Sequence, residues 1–285
     1  MATSKSKELL LRVIAALVLI PIALYLILKS HSHLFFTATE IIILLGTHEI
    51  IKIGKAQGFK LYVPIIWINA VAMPTLMYFG HMYMGSFDLL LYIAFILIFI
   101  IFLIKMFSST PTDNVIEDIS ANFLLSVFLP FLLTFIPLAR DLHTVTPSNE
   151  IVTGNMWVLF LFLIVWASDT FAYIVGAAIG KHKFIPKISP GKSIEGLIGG
   201  TIGAFIVAII MNIYILQLNW WLLSFITIDL VVAGVIGDLI ESMLKRGSRI
   251  KDSGSLIPGH GGILDRFDSL LISAPVIYFY LVYIG

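Results

Sequence analysis

Nine mostly apolar segments set the limits on what this chain can fold into. They are Leu9–Leu28, Leu34–Ile53, Leu61–Phe79, Phe87–Ile104, Ile119–Ala139, Met156–Ile179, Ile194–Leu216, Trp220–Leu239 and Ser269–Ile284. Each approaches the roughly 20 residues that carry a helix across about 30 Å of hydrocarbon. Hydrophobic residues make up 59% of the 285 and charged residues only 12%, whereas soluble domains carry about a quarter charged residues. No polar interval is long enough to bury a core of its own, so a separate aqueous domain is excluded. The expected fold class is an all-α polytopic membrane protein of about nine transmembrane helices. Residues 1–118 form an N-terminal region of four spans and residues 119–285 a C-terminal catalytic region of five.

The charges test this count. With nine spans, sixteen of the 18 basic residues fall on one side, and only Lys29 and Arg140 lie opposite. The positive-inside rule makes the basic side cytoplasmic. The N-terminus and the loops after spans six and eight are then inside, the C-terminus is outside, and the expected membrane is the inner (plasma) membrane. The N-terminal stretch has a basic start and an apolar core but no small-x-small cleavage site before Lys29, and it reads as a retained first helix. Trp67, Trp157, Trp220 and Trp221 stand near span ends, as interfacial anchors do. A net charge of +1 gives no reason to expect a nucleic-acid partner. The absence of cysteine removes disulfides, Cys-based zinc sites and thiol nucleophiles.

Function is carried by the polar groups, because ionisable residues inside a bilayer are costly. In the second span, His48-Glu49 begins like a zinc-protease helix, but Lys52 stands where H-E-x-x-H needs its second histidine. Structural pairing is the better reading of Glu49. In the sixth span Trp166, Asp169, Thr170 and Tyr173 share one helical face. Asp169 lies about 16 Å from the cytoplasmic end at helical rise; it is a site residue or a hydrogen-bond partner for another helix.

The loop after it contains Ser189-Pro190-Gly191-Lys192-Ser193. Pro186 stands where a P-loop needs its first glycine, so a Walker site is rejected. Ser189 and Pro190 begin a turn in this reading, Lys192 supplies charge, and Ser193 can cap the seventh helix, whose free N–H groups favour an anion. A polybasic loop resting on anionic headgroups is the competing reading. In the eighth span Asp238, Glu241, Ser242 and Lys245 share a face, and the ninth begins with Asp265 and Asp268 at i, i+3. Carboxylates with few nitrogen donors suit Mg²⁺, and the nearby Lys245, Arg246, Lys251 and Arg266 would neutralise phosphate. Acids for a metal beside bases for phosphate are what phosphoryl transfer needs.

The stretch from Ser242 to Asp268 closely resembles the signature of the phosphatidate cytidylyltransferase (CDP-diacylglycerol synthase) family. It reads S-x-L-K-R, four residues, then K-D-x-G-x-x-I-P-x-H-G-G-I-x-D-R-F-D, without departure. The resemblance extends to Trp166–Tyr173 and Ser189–Gly196, whereas residues 1–150 match only as hydrophobic spans. It implies transfer of CMP from CTP to phosphatidic acid with Mg²⁺, in a homodimer whose polar cavity opens to cytosol and lipid. Carried over, Asp238, Asp265 and Asp268 hold the metal. Ser189, Lys192 and Ser193 contact phosphate or headgroup. Lys245, Arg246, Lys251, His260 and Arg266 bind the triphosphate or the leaving pyrophosphate, and Asp169 supports the cavity or a second cation. Two other classes fit a polytopic chain with acidic spans: a CTP-dependent polyprenol or phytol kinase, and a cation transporter running through Asp169, Asp229 and Asp238.

Overall fold

The computed structural model describes residues 17–84, 88–147, 149–250, 253–254 and 261–284. Among these, a helix stands at each of the nine expected spans: α1 Leu17–Leu28, α2 Ser32–Ala56, α3 Val63–Met84, α4 Asp88–Met106, α5 Val115–Arg140, α6 Gly154–Ile179, α7 Ile194–Met211, α8 Trp220–Gly247 and α9 Leu264–Ile284. All but α1 and α4 meet the length and hydropathy of a membrane crossing, and α7 does so with its continuation to Leu216. Helices suit such sequences because a backbone in hydrocarbon must satisfy its own N–H and C=O groups. The protein is an all-α, multi-pass membrane protein. Two small antiparallel ribbons add to that plan: β1 His143–Val145 with β2 Ile151–Thr153, and β3 Lys183–Ile185 with β4 Ser189–Ser193.

The chain forms two compact units, each assembled from separated stretches. The first comprises Phe36–Thr134 and Leu244–Arg266. In it Leu97, Ile101 and Ile119 form a buried cluster flanked by Tyr62, Ile65 and Phe123. A buried polar group beside that cluster is fully partnered, as burial requires. Lys105 Nζ lies 2.6 Å from Asp118 and donates to the Asp113 carbonyl, while Asn122 accepts from Tyr62 N and donates to the carbonyls of Lys60 and Asp118. The second unit comprises Ala16–Phe35, Phe135–Met243 and Phe267–Gly285. Here α6 and α7 pack through small residues: a Cβ at Gly200 would stand 2.7 Å from the Ser168 carbonyl oxygen, and one at Gly203 would strike the Phe171 ring. Small residues let membrane helices approach this closely.

Trp157 corrects one expectation. Rather than sitting at the headgroup level, it is fully buried, with its indole N–H donating to Thr144 Oγ1 at 3.0 Å. Trp220 and Trp221 are exposed, as anchors must be. A second difference concerns α8, which runs past Leu239 to Gly247 because its polar last turns continue the helix after the apolar run has ended.

Candidate active site

In the second unit, α6 leads into the β3–β4 ribbon, and the ribbon leads into α7. The turn of this ribbon is at 186–188, so Ser189 and Pro190 lie in the extended β4 rather than beginning a turn. Glu195, in the first turn of α7, ties the base of the ribbon: its carboxylate accepts from His182 N at 3.2 Å and meets His182 Nδ1 at 2.6 Å. Ser193 is the N-cap of α7, its hydroxyl oxygen accepting from Gly196 N at 3.1 Å, as its position before the seventh span predicts.

These elements enclose a cavity of about 590 Å³. Its polar wall holds Asp169, Lys183, Ser189, Lys192, Ser193 and Asp238, and its apolar wall includes Ala172, Phe184 and Leu197. Asp169 opens onto this space from α6. Lys192 reaches across from β4 to α8, its Nζ 2.5 Å from Asp238 Oδ2. Lys183 lines the same cavity and, among the described residues, forms no ion pair.

Asp238 belongs to a second arrangement as well. One oxygen from each of Asp238, Glu241 and Asp268 lies within 4.8 Å of the others. Asp238 and Glu241 are one turn apart on α8, and Asp268 is on α9. The two helices meet closely at Gly237, where any Cβ would overlap the Asp268 carbonyl oxygen. Asp268 also accepts from Ser269 N at 2.6 Å. Glu241 is fully buried. Three carboxylates at this spacing repel one another unless protons or a cation intervene. Their all-oxygen donor set fits Mg²⁺.

In the first unit, Asp265 sits in the first turn of α9 and is held from several sides. Lys245 Nζ donates to its Oδ1 at 2.6 Å, and Oδ2 accepts from Gly262 N at 2.8 Å and Ser253 N at 3.1 Å, with Ser253 Oγ 3.0 Å away. Both partners of this ion pair are largely buried. Arg246 and Arg266 are exposed. Lys251 and His260 lie outside the described residues.

Three residues in these arrangements carry no site assignment from the sequence. Glu241 carried a signal, its one-turn spacing from Asp238. Lys183 carried only its place in a basic loop. The pairing expected of Glu49 is present: its buried carboxylate accepts from Ser253 Oγ, Ile263 N and Leu264 N. Asp229, a candidate for a cation path, accepts instead from Tyr280 OH at 2.6 Å.

Comparison with known proteins bears on this geometry. A phosphatidate cytidylyltransferase from Staphylococcus haemolyticus is 51% identical over 130 residues, 45% of this chain and 50% of that protein. The Staphylococcus saprophyticus protein of the same name is 49% identical over 132 residues, 46% and 51% of the two chains. That from Staphylococcus aureus is 47% identical over 130 residues, 45% and 50%. The chain thus spans about half the length of the curated relatives it matches. The profile of the cytidylyltransferase family matches residues 10–284, and the chain belongs to that family.

Proposed function

We propose that this member of the cytidylyltransferase family transfers CMP from CTP to phosphatidic acid, giving CDP-diacylglycerol and pyrophosphate. The observation that carries the reading is the grouping of Asp238, Glu241 and Asp268 within 4.8 Å, with Lys192 linking Asp238 to a cavity walled by both polar and apolar groups. An anionic head on an apolar tail suits such a cavity. The names of the staphylococcal relatives support the same substrates.

The nucleophile is a phosphate oxygen of the lipid, already ionised at neutral pH, so no strong general base is required. It attacks the α-phosphorus of CTP in line. A new P–O bond joins CMP to the lipid phosphate, the bond from the α-phosphorus to the bridging oxygen breaks, and pyrophosphate leaves with that electron pair. Asp238, Glu241 and Asp268 would hold Mg²⁺, with Asp265 a further ligand candidate. Bound there, the ion would offset charge on the triphosphate as it accumulates. Ser189, Ser193, Lys183 and Lys192 orient the lipid phosphate. Lys245, Arg246, Lys251, His260 and Arg266 take the triphosphate and the departing pyrophosphate, His260 as a hydrogen-bond donor. Asp169 supports the cavity or holds a second cation. Bringing two polyanions together in a fixed orientation is the principal catalytic task.

The lopsided distribution of basic residues supports a cytoplasmic site in the inner membrane, where CTP is available. A homodimer is part of the proposal, on the family resemblance. The test is incubation of the purified protein with phosphatidic acid and CTP labelled at the α-phosphate, with and without Mg²⁺. Label in the lipid, dependent on Mg²⁺, is expected. Label left on CDP would mean a lipid kinase, and nucleotide-independent ion flux in liposomes without label transfer would mean a transporter.

A further inference from the structure

We propose that Glu49 is a positioning residue: from the second helix it clamps Ser253 and the start of α9 to one point, and so fixes the orientation of Asp265. This rests on the catalytic role given to Asp265 above, and it extends the working parts of the enzyme into α2, in the N-terminal half, which the family profile also covers.

The clamp is built from three donors on one buried carboxylate. Ile263 N donates to Oε1 at 3.0 Å, Leu264 N to Oε2 at 2.8 Å, and Ser253 Oγ to Oε2 at 2.8 Å. Glu49 is 2% exposed, and a carboxylate that deep has to be matched by donors. Two of these donors are N–H groups at the start of α9, which have no partner within the helix and favour negative charge. The chain comes very close to the carboxylate: a Cβ at Gly254 or Gly262 would overlap its oxygens or the Ser253 hydroxyl. Glycine at both places is what lets the backbone reach Glu49.

The same pieces of chain hold Asp265. Its Oδ2 takes hydrogen bonds from Gly262 N and from the Ser253 amide and lies 3.0 Å from the Ser253 hydroxyl oxygen, leaving Oδ1 to Lys245. Ser253 therefore stands between two carboxylates, 2.8 Å from Glu49 and 3.0 Å from Asp265. A hydroxyl has a single hydrogen to donate. Its amide is given to Asp265, so the serine stays in place for Asp265 only while its other attachments hold it. Among the described residues, Glu49 is the group that secures Ser253, Ile263 and Leu264 together.

Glu49→Gln is the informative change. An amide offers one acceptor oxygen where three donors converge, and its NH₂ faces a donor. The protein is assayed in detergent by transfer of α-label from CTP to phosphatidic acid, with rates normalised to folded enzyme. We expect kcat to fall about 10- to 100-fold, the scale of a sub-ångström to 1 Å misplacement, with KM for CTP and for phosphatidic acid within about threefold. Amide hydrogen exchange at Ile263 and Leu264 should accelerate while exchange in α5 does not. If Glu49→Gln does not fold, Ser253→Ala, which keeps both amide bonds to Glu49 and removes only the bridge, is expected to lower kcat with KM unchanged. A wild-type kcat per folded molecule in whichever of these variants folds would overturn the inference, since a purely structural role costs folded protein and not turnover. A wild type that transfers no label would instead defeat the proposed reaction, and the role of Glu49 in it with it.

Discussion

Replacing Glu241 with glutamine should make the metal-free protein more stable and the enzyme nearly inactive. Glu241 is fully buried, and its carboxylate shares a 4.8 Å cluster with two others. At an effective dielectric of about 20, two like charges at that separation repel by on the order of 3 kcal/mol. Glu241 takes part in two such pairs. Lys192, against Asp238, offsets part of the repulsion, and burial of the charge itself adds to the cost. A net gain of about 1–3 kcal/mol is expected for Glu241→Gln in EDTA, or a rise of roughly 3–10 °C in Tm. Wild type should gain about 2.7 kcal/mol from Mg²⁺ at a hundredfold excess over Kd, and the variant much less. Thermal melting in detergent with EDTA or Mg²⁺, alongside the label-transfer assay, measures all three effects. A variant that melts at or below wild type in EDTA and keeps the full Mg²⁺ response would refute both the repulsion and the metal assignment.

Three further changes separate the parts of the site. Asp265→Asn should abolish label transfer while leaving folded protein, since Lys245 keeps a neutral acceptor in place of its charge partner; full activity would remove Asp265 from the machinery. Lys183→Ala should raise KM for phosphatidic acid about tenfold, the worth of one charge-assisted hydrogen bond, with kcat within about twofold; an unchanged KM would exclude Lys183 from the lipid phosphate. Gly237→Val should push α8 from α9 at the Asp268 carbonyl, costing about 1–3 kcal/mol by overpacking and about 100-fold in kcat; wild-type kinetics would show that the acid cluster tolerates a wider crossing.

The spans were legible because hydrocarbon imposes a length and a composition together, and within the described residues a helix stands at each of the nine apolar runs. Hydropathy misplaced helix ends where a helix extends beyond its apolar run, as α9 does at its start and α8 at its end. Glu241 and Lys245 stay helical in α8 beyond Leu239, since the need for internal hydrogen bonds ends at the membrane edge but helix propagation does not. The Ser193 cap was readable from a serine placed just before an apolar run. The turn beside it was misplaced because Ser-Pro favours turns locally, whereas pairing of β3 with β4 puts the turn at 186–188. Trp157 was misread for a related reason: a tryptophan near a span end looks the same whether its N–H finds water or Thr144.

What periodicity could not supply was the choice of partner across helices. The i, i+3 spacing on α8 shows that Asp238 and Glu241 share a face, but says nothing about which acid on another helix they meet. That choice is made where backbones touch, and here glycine makes it: Gly237 admits the Asp268 carbonyl, as Gly254 and Gly262 admit the Glu49 carboxylate. Glu49 and Ile263 are 214 residues apart, too far for any local pattern to link them. The glycines of the signature stretch therefore serve as much to let buried acids reach a neighbouring backbone as to turn the chain. A β-carbon at Gly254 or Gly262 would move the Glu49 carboxylate, and one at Gly237 would part α8 from α9 beside the acid cluster, so loss of activity should precede loss of fold in such variants.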